Sequence, residues 1–426
     1  MSPLPPPVRR ARSRVAILAV ALAVTVAALP AVAQDALVVR VGITLPLSGS
    51  PLATNGPIRD GALLALAEAA IPGVRIEPVI LDHAVNGVHN PQQGARDMTA
   101  FVADPALVAV IGPYNSSVGQ AQIPISNEAG LFQCSPGTTN PELTKGDPAR
   151  ALRPAAPDRP SFVRTVTTDD VQAPAMAAYA YRQLGIRRVA IVDDTETYGK
   201  GAADAFAGAW ERLGGTVTLR EGVPPGTADY LPVLTRIAAD APDALYFGGL
   251  AATGAGVIRR QMAQAGLGDL PFLVGEGAND GSVDTPGTFL NTAGEAAGEV
   301  WTTAPSRTDY PGRAAFATAY TAAYGVEPTA FSATAYACGQ VVVALVAAAH
   351  AAGSLDREVV RALATAPDAA WETILGETRF DAAGDITQRW ISFFTRDPAI
   401  DEDPATPGIG AFVFAEQVDF GTEPLP

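Results

Sequence analysis

Two hydrophobic rhythms alternate along this chain: short runs rich in Val, Ile and Leu, and longer alanine- and leucine-rich stretches with helical spacing. The runs at 38–45, 74–82, 107–111 and 131–135 predict strands, and the stretches between them at 58–70, 92–103 and 117–129 predict helices. Regular alternation of strand and helix predicts a parallel sheet covered on both faces. The rhythm breaks at 143–161, where Pro148, Pro154, Pro157 and Pro160 predict a long loop. It restarts with strands at 162–166, 188–193, 216–223, 244–247 and 271–274 and helices at 173–184, 200–213, 230–239 and 253–265. Two successive Rossmann-like units predict an α/β fold of two lobes with a cleft between them. Beyond Trp301 helices dominate, at 314–324, 333–352 and 356–366, and short strands follow at 377–380, 391–396 and 412–418. The stretch 333–352 is apolar enough to suggest a membrane span, but Gly339, Gln340 and its alanine richness predict a buried helix instead.

Composition narrows this picture. At 426 residues, 48% hydrophobic and 7% aromatic, the chain has material for two ordinary cores. Its net charge of −15 argues against nucleic acid and against anionic membranes as partners. Near the N-terminus Arg9, Arg10, Arg12 and Arg14 precede an apolar run at 15–29, and Ala31-Val32-Ala33 closes it with small residues. This predicts a signal peptide over 1–33, cleaved before Gln34, and a periplasmic or extracytoplasmic location. The run is shorter than the roughly 20 residues of a membrane span, and no cysteine follows it to carry a lipid. Without those four arginines the charge is −19, more acidic still. Cys134 ends a predicted core strand and Cys338 lies within a predicted helix, which predicts free, buried thiols and no disulfide framework.

Candidate chemistry concentrates where strands end. The run Ala109-Val110-Ile111 breaks at Gly112 and leads through Tyr114 and Asn115 to Ser116 and Ser117 at a helix start. The next strand leads into Ser135-Pro136-Gly137-Thr138-Thr139. A helix start offers free N–H groups and a positive dipole end, and nearby hydroxyls add donors, so the two exits together suit a carboxylate or phosphate. Asp193 to Gly199 follows another strand and sets Tyr198 at a sheet edge. Glu276 stands between Gly275 and Gly277 directly after a strand, as a cation acceptor or a solvated loop acid. Leu47-Ser48-Gly49 and Asn55-Gly56 make a glycine-punctuated loop suited to a pocket rim. His83 and His89 lie in a loop with too few companions for a metal site and are expected to be solvated. Gly254-Ala255-Gly256 lacks the third glycine of a dinucleotide fingerprint. Hydrolase, Walker and zinc motifs are absent from the sequence. The expectation is a binding protein with no cofactor and no metal, not an enzyme.

These residues together resemble the solute-binding proteins of branched-chain amino-acid ABC importers, the leucine/isoleucine/valine-binding type of periplasmic binding protein type I. The similarity spans about 37–396 and includes Val41-Gly42-Ile43, Ser116-Ser117, Ser135-Pro136, Thr139, Pro141-Glu142-Leu143-Thr144, Tyr198-Gly199, Gly248-Gly249, Gly275-Glu276-Gly277 and Phe380-Asp381 in order. It implies Rossmann-like lobes joined by a three-crossing hinge, with crossings near Thr167, Glu299 and Leu375. Lobe 1 would comprise 34–167 and 300–375, and lobe 2 would comprise 168–299 and 376–426. Ser116 and Thr139 would hold a ligand α-carboxylate, the Gly137 carbonyl and Glu276 would take the α-ammonium, and Tyr198 would close from the second lobe.

Departures from the family pattern fall at the other end of the ligand. Leu250 and Asn55 stand where aromatics are frequent, and Tyr114 and Asn115 alter the pocket rim. The small disulfide near the second strand is missing, and the loops at 82–91 and 145–161 are longer. A side chain larger, more polar or more aromatic than leucine is compatible with these changes, as are amides and aromatic acids. The implied function is capture of an amino acid or related small molecule by hinge closure and delivery to ABC permease and ATPase subunits. The alternative is an extracytoplasmic ligand sensor for a regulatory or signalling partner.

Overall fold

The computed structural model describes residues 1–2, 36–280, 283–400, 409–422 and 425. The predicted signal peptide lies outside them from residue 3 onward. The chain runs β1 (Leu37–Leu45), α1 (Leu52–Ala67), β2 (Val74–Asp82), β3 (Ala84–Val85), β4 (Val88–His89), α2 (Pro91–Ala103), β5 (Leu107–Ile111), α3 (Ser116–Glu128), β6 (Phe132–Ser135), α4 (Gly146–Ala151) and β7 (Phe162–Arg164). It continues through α5 (Asp169–Arg182), β8 (Arg188–Asp193), α6 (Thr197–Arg212), β9 (Thr216–Gly222), α7 (Leu231–Asp240), β10 (Ala244–Gly248), α8 (Ala255–Gln264), β11 (Phe272–Val274), α9 (Phe289–Ala293) and β12 (Val300–Ala304). Next come α10 (Arg313–Tyr324), α11 (Ala330–Ala351), α12 (Arg357–Ala364), β13 (Trp371–Thr373), β14 (Gly376–Thr378), β15 (Trp390–Asp397) and β16 (Ala411–Asp419).

The strands form two lobes. The first sheet is wholly parallel in the order β2-β1-β5-β6-β7. The second has the order β16-β15-β12-β11-β10-β8-β9, parallel from β9 to β12 and antiparallel beyond. Strand order reverses between β1 and β5 and again between β8 and β10, and such switch points are where α/β sheets open a crevice for ligands. β5 reads Leu-Val-Ala-Val-Ile with every residue buried, as a strand covered on both faces must. α11 packs Phe331, Ala335, Val341, Val342, Leu345 and Val346 against the first sheet. Its membrane-like composition is that of a core helix, 72% buried over its most apolar window.

Local chemistry accounts for several departures from the predicted elements. α1 begins at Leu52 rather than 58, which carries Asn55 from a loop onto a helix. Within the proline-rich 143–161 stretch, Pro148 lies in the first turn of α4, where its missing N–H is no loss. Asn86 and Gly87 both have positive φ, 52° and 76°, and make the two-residue turn that closes the β3–β4 ribbon. The cysteines are not free thiols. Cys134 and Cys338 are joined, with Cα atoms 5.7 Å apart, because the end of β6 and the middle of α11 meet in the first-lobe core.

The chain passes between the lobes beside Thr167, beside Pro305 and just before Trp390. There the Thr167 N–H donates to Pro305 O at 2.8 Å and its hydroxyl to Trp390 O at 3.0 Å. β12 pairs within the second sheet, and Asp385 bridges to Arg164 on the first. Buried Arg164 donates to Asp385 Oδ1 at 2.7 Å and to the carbonyls of Thr138 and Asn140, which ties this region to the loop after β6.

Candidate functional site

The loops at the carboxyl ends of β5 and β6 build one wall. Ser135 fastens them together: its hydroxyl donates to Pro113 O at 2.7 Å and accepts from the N–H groups of Gly137 and Thr138. Gly137 is required here, since a Cβ would lie 2.3 Å from the Tyr114 ring. Ser116 opens α3, so the free N–H groups of the first helical turn lie beside its hydroxyl. Ser116 is also close to the second loop, with Asn140 N donating to its Oγ at 3.4 Å. This wall is neutral and rich in donors.

The opposite wall comes from the loops after β8, β10 and β11. Glu276 is 2% exposed and is surrounded by donors. Tyr198, at the second position of α6, donates to Oε2 at 2.9 Å, Gln172 donates to the same oxygen, and Thr139 donates to Oε1 at 3.4 Å. Gly275 leaves space for the tyrosine, because a Cβ there would meet its hydroxyl at 2.5 Å. The loop after β10 is held by Thr253, which donates to Asp194 Oδ2 at 2.7 Å and accepts from the Leu250 N–H at 2.8 Å. Burial raises the Asp194 carboxyl to about 6.

Asp169 completes this wall. It opens α5 at the first crossing, is fully buried, and its N–H donates to Thr139 O at 2.9 Å. Its Oδ1 accepts from Gln172, while Oδ2 has no partner. Burial and then the charge of Glu276 push the Asp169 carboxyl well up, and burial also raises Glu276. A cation beside two such buried carboxyls would favour their ionised forms.

The structure brings the predicted residues together. Tyr114, Asn115, Ser116, Gly137, Tyr198, Leu250 and Glu276 line one small cavity, and Thr139 bonds to Glu276 at its edge. Asn55 lines the adjoining cavity with Tyr114, Asn115 and Leu250. Glu276 is a buried, hydrogen-bonded carboxylate rather than a solvated acid. Sequence reasoning missed Asp169 and Gln172, although Thr168-Asp169-Asp170 carries the signature of a helix start. It also placed His83 and His89 in solvent, whereas both are buried. His83 faces Thr44 Oγ1 at 3.0 Å and burial lowers it to about 3, while His89 lies 3.8 Å from Glu196 across the cleft. The lobes meet elsewhere too, as where Asn140 Nδ2 donates to Thr197 O at 2.6 Å.

Residues 38–395 match the model of a family described as periplasmic binding protein. The chain belongs to this family. Among curated relatives, the Leu/Ile/Val-binding protein BraC3 of Rhizobium johnstonii is 31% identical over 84% of this chain and 91% of its own length. The Leu/Ile/Val-binding protein homolog 2 of Brucella abortus is 33% identical over 82% of this chain and 87% of its own. Among solved structures, the leucine binding protein LivK of Thermotoga maritima superimposes with a TM-score of 0.73 at 24% identity, covering 89% of this chain and 98% of that one. A solute binding protein from R. palustris in complex with benzoate has a TM-score of 0.70 at 21% identity, covering 89% and 96%. At that identity the structural likeness speaks for the fold alone. The relatives and the matching family identify this periplasmic binding protein as a branched-chain amino-acid type ABC solute-binding protein.

Proposed function

We propose that this periplasmic binding protein captures an α-amino acid as a zwitterion and passes it unchanged to the membrane subunits of an ABC importer. The observation that carries this reading is the buried pair Glu276 and Asp169, facing the neutral donor wall of Ser116 and Thr139. The α-ammonium would lie against Glu276 and the Gly137 carbonyl, and the α-carboxylate against Ser116, Thr139 and the first turn of α3. Charge-assisted bonds of this kind are strong in a site shielded from water. Tyr198 belongs to one wall and Thr139 to the other, so a ligand bonded to both favours the closed arrangement of the lobes. The names of the curated relatives, which bind Leu, Ile and Val, support an amino acid. In this reading 37–167 and 306–388 form lobe 1, 168–280, 283–304, 389–400 and 409–419 form lobe 2, and export follows cleavage before Gln34.

A thermal-shift series tests it. L-α-amino acids should raise the melting temperature by mass action, whereas analogues lacking the α-amino group should not. Equal stabilisation by the deaminated analogues would sink the zwitterion assignment.

A further inference from the structure

The second cavity, where the ligand's side chain would lie, is polar in a particular way. Asn55 is 2% exposed on α1, and its Nδ2 is occupied by Pro51 O at 2.9 Å. Its Oδ1 is buried with no partner. Because Nδ2 already has an acceptor, exchanging the amide atoms would only move the deficit. Asp280 borders the same cavity from the second lobe and accepts the Phe289 N–H at 3.0 Å. Tyr114, Asn115 and Leu250 line both cavities. The cavity measures about 30 Å³, and Asp280 and Thr54 also border a larger one of about 330 Å³.

Resting on the amino-acid reading above, we propose that the preferred ligand is an α-amino acid whose side chain ends in an N–H donor, a carboxamide or a short amine, received by Asn55 Oδ1 and Asp280. An aliphatic end would leave a buried acceptor unpaired, and a site built around such an acceptor discriminates against ligands lacking the donor. A carboxylate end would bring a third negative group beside Asp280 and Glu276. The aliphatic stem of the side chain would pass Leu250, which suits the absence of an aromatic there.

Calorimetric titration of the ligand-stripped protein tests this with L-glutamine, L-asparagine and L-2,4-diaminobutyrate against L-leucine, L-isoleucine and L-valine. At least one donor ligand should bind about tenfold or more tightly than leucine. Asn55→Leu should shift the donor-to-leucine ratio about tenfold toward leucine, and Asp280→Asn should weaken the diamine more than the amides. Circular dichroism on both variants separates a lost subsite from a lost fold. Leucine binding as tightly as every donor ligand overturns the inference and leaves the amino-acid reading standing. Binding of no α-amino acid at all overturns both.

Discussion

The two walls of the cleft face one ligand but are built from different materials. The first-lobe wall offers hydroxyls and backbone N–H groups from Ser116 and Thr139, braced by the Ser135–Thr138 bonds and joined to α11 through Cys134 and Cys338. The second-lobe wall offers buried carboxyls, Glu276 with Asp169 beside it, and glycine-rich turns. Neutral donors can wait in a dry site at modest cost, because neighbouring carbonyls and hydroxyls satisfy them. Carboxylates cannot: burial raises their pKa until a cation arrives. The first wall is therefore largely preorganised, while the second is held in an unfavourable state that a bound cation would relieve.

The largest effect should separate the walls directly. Glu276→Ala should weaken amino-acid binding by about 3–5 kcal/mol, the usual loss on removing one partner of a buried charge pair. Ser116→Ala should cost only about 1–2 kcal/mol, a hydrogen bond to a charged group. Glu276→Ala should also raise the melting temperature of the ligand-free protein, and Ser116→Ala should not. Calorimetry and thermal melts on the same preparations measure both, and equal losses of affinity would erase the contrast.

The disulfide sharpens the comparison on the stability side. Cys134→Ala with Cys338→Ala should lower the unfolding free energy by about 2–5 kcal/mol, since the bond closes a long loop of chain. Urea titration with and without reductant reads this. Because the bond anchors only the first wall, any loss of amino-acid affinity in the double variant should come through the carboxylate end, and a calorimetric titration of the variant measures it.

The smallest effect is the dependence on pH. Burial raises Asp194 to about 6 and Asp280 to about 7. A carboxyl raised in the folded state stabilises the fold below its unfolded pKa of about 4, and this contribution is lost as pH rises through the folded value. The melting temperature of the ligand-free protein should therefore rise as pH is lowered from 7 toward 5. Below about 4 the trend reverses, because Asp385 resists the effect of its own burial through the charges of Arg164 and Lys145 and sits below the ordinary range. The ammonium should displace protons from the raised Glu276 and Asp169 pair on binding. Calorimetry in buffers of different ionisation enthalpy detects that release, and a proton count of zero throughout pH 5–7 would contradict the raised carboxyls.

Much of this site could be read from residues that act locally. Ser116, Gly137, Thr139, Tyr198 and Glu276 all follow strand ends, where strand order and helix starts force polar groups together whatever the distant chain does. Asp169 was overlooked because a capped helix start explains its identity equally well, and only its packing beside Glu276 gives it another part. His83 and His89 looked solvated because their neighbours are polar. The Asn86-Gly87 turn folds their segment back instead, so that His83 lies against Thr44 and His89 against Glu196.

The alternation of apolar runs and helical stretches was enough to specify two sheets built mainly of parallel strands and the order in which their strands appear, because periodicity and turn residues are properties of neighbouring positions. The pairing of Cys134 with Cys338 and the unpaired Oδ1 of Asn55 are of another kind. Each depends on which distant segments share a core or a cavity, and burial and partnership across hundreds of residues are decided by packing alone.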